Sequence, residues 1–368
     1  MASSDAGARA VDLLHELVAI PSVTGAEAGV IDFFQERFRG RGWPVETIEV
    51  SPGRRNLFVR RGRPRVVLTT HVDTVPPYFE PRREGAVLFA RGACDAKGSL
   101  SAMVVALEGI LADTNEAALL LLVGEERGSD GALAANRQAP AGVEFLVGGE
   151  PTGNRFVAGS KGCVRISIEV RGRAGHSSNA ESGSSAVPPL LDFLEAVRRL
   201  DFPEDPTFGQ TTMNIGVLEA GTAPNVTAER ARAEVLFRTG LPVEQLLCRI
   251  QPLAKPPVAL QVPYRSDPIR FRVPKDWGGE IVSYACDLPL LPAWGQPILV
   301  GPGSILDAHA ADEKVDLSQI EEAVSIYGDL VRGLLIDGDA YLAPKSPDDP
   351  MTRSPDSSPF TSRSHPRA

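Results

Sequence analysis

The chain has 368 residues, which is enough for two domains, since a single hydrophobic core rarely grows beyond about 250–300 residues. Hydrophobic residues make up 43% of it and charged residues 23%, as in an ordinary globular protein. The net charge of −9 disfavours a general nucleic-acid surface or a surface for anionic membranes. We therefore expect neither nucleic acid nor membrane as a partner.

The N-terminal sequence and the cysteines predict the compartment. The start of the chain has no basic leader, and no stretch approaches the ~20 apolar residues that span a bilayer. The four cysteines are scattered without paired spacing. They are Cys94, Cys163, Cys248 and Cys286. We expect reduced thiols and a cytoplasmic location.

The first part of the chain alternates helical and strand patterns. Apolar residues recur at helical spacing over 8–19 and 26–40, and the runs TIEV, NLFVR and VVLTT then predict buried strands. A helix is predicted at 100–111, followed by the strand AALLLLVG, a short helix at 131–137 and the strand FLVGG. This alternation predicts an α/β domain with a mostly parallel mixed sheet between helices.

The middle of the chain has a different pattern. RISIEVRG alternates apolar and polar residues, as a half-exposed strand does. A helix at 184–200, two strands, a helix at 243–253 and the strand VALQVPY complete a βαββαβ order, which predicts a small α+β domain. The strand PILVGPG and a helix at 317–335 then resume the first pattern.

These patterns predict a discontinuous main domain formed by residues 1–162 and 273–339. An α+β domain of residues 163–272 is inserted into it. Residues 340–368 are rich in proline, serine and charge and cannot bury a core, so we predict a disordered tail.

Only five histidines occur in the chain, and three of them lie in short polar motifs. His71 in TTHVDTV follows an apolar strand. Residues two apart point to the same side of a strand, so Asp73 can reach the His71 ring and orient it as a ligand. Alone, this pair is a weak signal, and a polar pair at a strand end is the more common explanation.

Acidic residues in three further motifs also follow predicted strands. Asp95 in RGACDAKG precedes a helix, where it could cap that helix or bridge two metal ions. The pair Glu125 and Glu126 follows AALLLLVG, and strand alternation directs the two side chains differently, which suits one ligand and one general base. A solvated loop is the alternative for this pair. Glu150 ends the strand FLVGG in the same way.

The other two motif histidines lie later in the chain. His309 follows GPGSIL, which lacks the Gly-Lys-Ser/Thr ending of a phosphate loop, so we interpret this segment as a turn that presents His309 to a cleft. His176 in RAGHSS is either a surface histidine or a donor to a developing oxyanion across a domain or subunit boundary. Ligands bind at the carboxyl ends of strands in open α/β sheets, which favours a metal site at that edge.

The ordered motifs HVD, GACDAKG, GEE, GEPT, GHSS, NVTAE and GPGS…AHAADE resemble a clan of dinuclear zinc amidohydrolases and metallopeptidases. The clan includes acetylornithine deacetylase, succinyl-diaminopimelate desuccinylase, aminoacylases and glutamate carboxypeptidase. The resemblance covers about residues 8–335. It implies a catalytic domain with two Zn²⁺ ions, for which Co²⁺ or Mn²⁺ are alternatives, and an inserted lid domain that forms a homodimer.

The resemblance also implies the metal ligands. His71 matches a ligand of one metal and His309 a ligand of the other, while Asp95 matches the bridging carboxylate. Glu126 and Glu150 match the remaining ligands, one for each metal.

Further matched positions concern catalysis and substrate. Glu125 matches the general base, Asp73 the residue that orients His71, and His176 a lid histidine that assists the transition state, often from the partner subunit. The matched substrate-binding positions are Asn225, Arg238 and Gly303.

The leading hypothesis is hydrolysis of the amide bond of an N-acyl amino acid by a metal-activated water, as in acetylornithine or acetyl-lysine deacetylases. The alternative is a dipeptidase or carboxypeptidase with the same dinuclear site, which would act on a short peptide. A catalytically dead scaffold would have lost a ligand or the base, and none is lost here. The segment between the predicted lid domain and GPGS is short, so substrate contacts of longer members are expected to be absent.

Overall fold

The computed structural model describes residues 2–344, which contain seven α-helices and sixteen strands. The helices are α1 (Ala2–Val18), α2 (Ala28–Gly40), α3 (Lys97–Ile110), α4 (Asp130–Asn136), α5 (Val187–Arg198), α6 (Val243–Ile250) and α7 (Leu317–Asp337). The strands are β1 (Val45–Ser51), β2 (Arg54–Arg60), β3 (Val66–His71), β4 (Arg82–Glu84), β5 (Val87–Phe89), β6 (Ala117–Leu122), β7 (Phe145–Gly148), β8 (Val157–Ser160), β9 (Gly162–Arg171), β10 (Thr212–Ala220), β11 (Arg230–Thr239), β12 (Val258–Ser266), β13 (Ile269–Arg270), β14 (Glu280–Val282), β15 (Gln296–Leu299) and β16 (Lys314–Asp316).

The main domain is built on a nine-stranded mixed sheet. Its order is β1-β2-β6-β3-β7-β15-β8-β13, with β14 beside β8. The four central strands β6, β3, β7 and β15 run parallel, and antiparallel neighbours flank them on both sides. This confirms the predicted α/β fold, in which the parallel strands form the centre of the sheet.

Burial on both faces explains why β6 is apolar at every position. Leu119 and Leu121 belong to the core beneath α1, α3 and α7. Leu120 and Leu122 belong to the core on the other face, together with Trp294 and residues of α4. Successive side chains of a strand point to opposite faces, so a strand covered by helices on both sides needs an unbroken apolar run.

The lid domain is a four-stranded antiparallel sheet in the order β10-β11-β9-β12, with α5 and α6 on one face. In β9, Val164 and Ile166 are buried against that helical layer, whereas Arg165 between them is exposed. The alternating sequence RISIEVR thus follows from a sheet that is covered on one face only. The observed element order confirms the predicted α+β insertion.

The chain leaves the main sheet between Ser160 and Gly162 and returns to it between Ser266 and Ile269. The predicted domain boundaries, 163 and 272, lie close to these crossings and stay predictions. Leu342 is buried in the main core, so the chain is packed past the predicted start of the tail at residue 340. The remainder of that predicted tail, 345–368, lies outside the described residues.

A small sheet that was not predicted brings two distant segments together. β5 pairs with both β4 and β16 in antiparallel fashion. Because β5 precedes the Asp95 loop and β16 follows His309, this pairing places the two motif-bearing segments side by side.

Over residues 2–344, no helix combines the length and the apolar character needed to cross a membrane. All four cysteines are free thiols, and only Cys248 is exposed.

Candidate metal centre

The polar motifs converge at the carboxyl edge of the parallel strands. His71 is the last residue of β3, Glu125 and Glu126 follow β6, and Glu150 follows β7. Gly124 has a φ of 82°, in the left-handed region that glycine adopts without a steric cost, and the chain turns there out of β6. Parallel strands end at a common edge, so residues distant in sequence become neighbours.

The first histidine–carboxylate group consists of His71, Asp95 and Glu150. The Nε2 of His71 lies 3.0 Å from Asp95 Oδ1 and 4.0 Å from Glu150 Oε2. All three residues are buried. Burial raises the pKa of Glu150 well above its usual value. Burial also opposes the charge of His71, but its contacts with Asp73 and Asp95 outweigh that effect and raise its pKa.

The second group consists of Asp95, Glu126 and His309. The Nε2 of His309 lies 3.0 Å from Glu126 Oε1 and 3.3 Å from Asp95 Oδ2. Asp95 therefore directs one carboxylate oxygen to each histidine. Hydrogen bonds to Asp95 and Glu126 raise the pKa of His309 to about 10. Burial opposes the charge of Asp95, yet the two histidines hold its pKa below the usual value.

Each group could hold a divalent cation. It offers one imidazole nitrogen and two carboxylates, whose ligand atoms lie within 4.8 Å of one another. Mixed nitrogen and oxygen ligands of this kind suit Zn²⁺ and similar ions. Burying carboxylates whose only nearby positive charges are protonated histidines costs free energy, and cations bound between them would offset that cost. The structure thus brings together all five predicted metal-binding residues.

Asp73 contacts the His71 ring through both its backbone and its side chain. The Nδ1 of His71 lies 2.9 Å from the backbone carbonyl oxygen of Asp73 and 3.6 Å from its carboxylate. The backbone carbonyl can only accept, so it fixes the hydrogen on Nδ1 and leaves Nε2 as the ligand atom. The Asp73 carboxylate also accepts hydrogen bonds from the backbone amides of Glu125 and Glu126 and from the Thr24 hydroxyl.

Glu125 and Glu126 are separated as predicted. Glu126 contacts His309, whereas the Glu125 carboxylate lines a cleft and has no hydrogen-bond or ion-pair partner among the described residues. Burial raises the pKa of Glu125 well above its usual value, and the charge of Glu150 adds to this effect. The half-buried pair is therefore not a solvated loop.

The loop that carries Asp95 is held by Glu313, a residue within AHAADE to which no role was assigned from the sequence. Glu313 Oε1 accepts hydrogen bonds from the backbone amides of Gly92, Cys94 and Asp95, at 3.0, 3.1 and 3.0 Å. Its Oε2 lies 2.6 Å from Arg91 Nη1, and this ion pair is almost fully buried. The sequence feature that could have indicated this role is the glutamate four residues after His309.

The alternative of Asp95 as a helix cap is wrong. Helix α3 begins at Lys97 after Ala96, without a side-chain cap. The carboxylate of Asp95 is committed to His71 and His309.

A cleft of about 660 Å³ lies above the two histidine–carboxylate groups. Its main-domain wall includes Asp95, Glu125, Glu150 and His309, together with Tyr284. The exposed face of the lid sheet forms the other wall. That wall includes Cys163, Arg165, Leu236, Arg238 and Tyr264. Of the predicted substrate-binding residues, Arg238 lies in this cleft, and Arg165 and the two tyrosines also line it although the sequence did not single them out.

His176, Asn225 and Gly303 do not line the cleft of their own chain. His176 and Asn225 are exposed on the lid domain and adjoin one another, since the Ser177 amide donates to the Asn225 carbonyl at 3.1 Å. Gly303 has a φ of 87°, and its amide donates to the Gln319 side chain at 2.7 Å. The roles of these three residues stay predictions.

Comparisons with known proteins agree with this fold and site. Residues 158–255 match the M20 peptidase dimerisation domain family. A peptidase M20 domain-containing protein of Schizosaccharomyces pombe is 33% identical over 340 residues, which cover 89% of this chain and 85% of that protein. A probable carboxypeptidase of Aspergillus clavatus is 30% identical over 366 residues, which cover 87% of this chain and 88% of that protein.

Solved structures share the fold. A tripeptidase from Staphylococcus aureus matches with a TM-score of 0.73 and 20% identity, covering 89% of this chain and 99% of that one. An M20 family metallo-carboxypeptidase from Sulfolobus solfataricus matches with a TM-score of 0.68 and 16% identity, covering 88% and 98%. Together with the two histidine–carboxylate groups, these findings define a metal-dependent hydrolase. The chain belongs to the M20 peptidase family.

Proposed function

We propose that the protein hydrolyses the amide bond of an N-acyl amino acid and releases the free amino acid. The observation that supports this most is one cleft with two histidine–carboxylate groups on one wall and Arg238 on the other. Arg238 has no ion-pair partner among the described residues, and a guanidinium pairs well with the carboxylate of an amino acid. A substrate held in this way would place its amide bond near Glu125.

We assign the two groups to two cations. His71, Asp95 and Glu150 would hold one, and Asp95, Glu126 and His309 the other. Zn²⁺ is the proposed ion, with Co²⁺ or Mn²⁺ as alternatives. Two bound cations would polarise the amide carbonyl and make water acidic enough to attack at neutral pH.

The proton transfers are assigned to Glu125. Its carboxylate would take a proton from the attacking water and give it to the leaving nitrogen, which must leave as an amine. A general base works best when its pKa lies near the working pH, and burial moves the pKa of Glu125 in that direction. Asp73 would keep both His71 and the Glu125 backbone in place through the contacts described above.

We further propose a homodimer formed through the lid domain. His176 and Asn225 are exposed and lie outside the cleft of their own chain, which supports a role in the cleft of a partner subunit. There His176 would donate a hydrogen bond to the developing oxyanion. The match to a dimerisation domain also supports this arrangement.

The second candidate is a carboxypeptidase or dipeptidase, and the names of the curated fungal relatives favour it. The same bond is broken in both cases, because an amino acid with a free carboxylate leaves from an acyl or an aminoacyl group. The two candidates therefore differ only in what occupies the acyl side of the cleft.

A product analysis tests the proposal and separates the candidates. Purified protein with added Zn²⁺ is incubated with N-acetyl-ornithine, N-acetyl-lysine, N-acetyl-glutamate and a set of dipeptides that includes acidic C-terminal residues, and the products are identified by mass spectrometry. Acetate release without dipeptide cleavage supports the first candidate, whereas the reverse pattern supports the second. Glu125→Gln protein prepared in parallel controls for contaminating hydrolases. No amide hydrolysis above that control would refute both candidates.

The cytoplasmic location is also part of the proposal. Four free cysteines without a disulfide among the described residues support a reducing compartment.

A further inference from the structure

We infer that Arg165 and Arg238 form a double guanidinium site that selects substrates with two carboxylates, so that the amino acid released is acidic. This inference rests on the proposed function and names its substrate class. Arg238 would bind the carboxylate next to the scissile amide, and Arg165 would bind the carboxylate of the side chain. An N-acyl-glutamate, an N-acyl-aspartate or a peptide ending in either residue fits this description.

The register of the lid sheet places the two arginines on one face. Arg238 of β11 is paired with Cys163 of β9, and Leu236 is paired with Arg165. Residues two apart on a strand share a face, so Arg165 and Arg238 are diagonal neighbours, about 7–8 Å apart at their backbones. Both guanidinium charges oppose the rise in the pKa of Cys163 that burial causes, as expected for two charges close to that thiol.

Neither arginine has a charged or hydrogen-bonding partner in the part of the chain that the structure describes. Over residues 2–344, the Arg165 and Arg238 side chains make no ion pair and no hydrogen bond, and the Nη1 atom of Arg238 is buried without an acceptor. Arg91, by contrast, is paired with Glu313 within the main domain. In a chain with a net charge of −9, two unpaired guanidinium groups side by side in a cleft indicate an anionic ligand.

A substrate with one carboxylate would satisfy only one of these groups. The other guanidinium would remain beside a like charge without a carboxylate partner, at a cost in electrostatic repulsion. A second carboxylate removes that cost and adds a charge-assisted hydrogen bond, which can be bidentate. Tyr264 is paired with Arg165 in the sheet and lines the same cleft, so it flanks this second position.

The test compares substrates that differ in one carboxylate. N-acetyl-glutamate is paired with N-acetyl-glutamine, and Ala-Glu with Ala-Gln, since the glutamine side chain has nearly the size of the glutamate side chain. The glutamate compound of each pair is called the acid and the glutamine compound the amide. Values of kcat/KM are measured with Zn²⁺-loaded wild type and the variants Arg165→Gln, Arg238→Gln, Arg127→Gln and Arg63→Gln. Arg127 is a third arginine of the cleft lining. Arg63 is the matched control, because it is exposed and precedes β3, at the opposite end of that strand from His71.

Wild type should prefer the acid of each pair by about 10- to 100-fold, the range expected for a hydrogen bond between charged groups. Arg165→Gln should abolish this preference. It should lower kcat/KM for the substrate with the side-chain carboxylate and leave kcat/KM for the substrate with the side-chain amide within about twofold of the wild-type value. Arg238→Gln should lower kcat/KM for both members, and Arg63→Gln should change neither. The inference is overturned if wild type does not prefer the acid, if Arg165→Gln lowers both members equally, or if Arg127→Gln alone removes the preference.

Failure of the proposed function has a different signature. Hydrolysis of the amides without a preference for the acids would refute the double guanidinium site and leave the proposed function intact. If no substrate is hydrolysed, calorimetric binding of N-acetyl-glutamate and N-acetyl-glutamine to the same proteins decides the inference. Tighter binding of the acid that is lost in Arg165→Gln supports it, and equal binding overturns it.

Discussion

At the scale of single residues, Asp73 determines what its neighbours can do. Its carboxylate accepts the backbone amides of Glu125 and Glu126, at 3.1 and 3.2 Å, and thereby fixes the turn after β6. Its backbone carbonyl orients the His71 ring. From that fixed turn, Glu126 reaches His309 while Glu125 faces the cleft. Two adjacent glutamates can therefore take different roles.

The first prediction separates these two roles. Glu125→Gln should retain the metal ions but lose about 10²- to 10⁴-fold in kcat, because a base is removed and no ligand. Glu126→Gln should lose one metal ion, because amide oxygen is a weaker ligand than carboxylate. Elemental analysis and steady-state kinetics on both variants check this. Loss of metal in Glu125→Gln with retention in Glu126→Gln would mean that the two roles are exchanged.

The second prediction concerns pH. In the ion-free protein, hydrogen bonds to Asp95 and Glu126 raise the pKa of His309 to about 10, and the pKa of His71 is also raised. Below these values a proton competes with the cation for Nε2, so metal affinity should rise with pH and binding should release protons. Lowering the pH from about 8 to about 6 should weaken Zn²⁺ binding in calorimetric titrations. Proton release is checked with buffers of different ionisation heats, and an affinity independent of pH would contradict this prediction.

At the scale of elements, the pairing of β5 with β16 sets the position of Glu313. The segment after His309 lies beside the Asp95 loop because these two short strands pair. Glu313 then accepts three backbone amides of that loop. The position of Asp95 thus depends on contacts between segments that are far apart in sequence.

The third prediction tests how far Glu313 stabilises the Asp95 loop. Glu313→Gln leaves Arg91 buried without its counter-charge, which should lower the free energy of unfolding by about 3 kcal/mol. Metal affinity should fall as well, because the Asp95 loop loses its anchor. Urea unfolding of the ion-free protein measures the first effect. As a control, Glu144→Gln breaks an exposed ion pair with Arg65 and should cost less than about 1 kcal/mol. Equal losses in the two variants would contradict the prediction.

The long elements could be predicted because each one carries its own periodic pattern. Residues 26–40 showed a helical apolar face, and α2 buries Val30, Ile31, Phe34 and Phe38. The short strands β4, β5 and β16 escaped prediction, since three residues are too few for a period and β4 is exposed throughout. Their conformation comes from pairing partners, which no local pattern reveals.

The residues of the site also divide into those with a local sequence signal and those without one. The candidate metal-binding residues follow strands or glycine turns, so strand ends and residue type indicated them as candidates, and the family resemblance implied their roles. Glu313 and Arg165 were missed because their importance lies in what they face across the fold: the amides of a distant loop and an unpaired arginine on the next strand. The hydrogen bonds from the turn after β6 to the Asp73 carboxylate were missed for a related reason, since they form between segments far apart in sequence.

At the scale of the whole molecule, the lid domain separates His176 from the cleft of its own chain. The fourth prediction uses this separation. His176→Ala should lower kcat about 10²- to 10³-fold with little loss of metal, because a donor to the oxyanion is removed. Heterodimers of His176→Ala and Glu125→Gln chains should nevertheless recover about half of the wild-type activity, since one of their two sites is complete.

Coexpression of the two variants with different affinity tags yields the heterodimer for this measurement. Each variant alone serves as the baseline. Recovery demonstrates that the histidine is supplied by the partner subunit. Mixed dimers as inactive as their parents would show instead that His176 serves its own chain or no site.

The central position of β15 has a consequence for how the protein is made. This strand lies between β7 and β8, and both precede the lid domain in the chain, whereas β15 follows it. While the ribosome is still producing the lid domain, β7 lacks one of its neighbours, and Asp95 has neither His309 nor Glu313 beside it. Folding proceeds from the N-terminus during synthesis, so the nascent chain carries an unfinished sheet and an open metal centre. The segment that follows the lid domain completes both, and hydrolytic activity is withheld until that segment has been made.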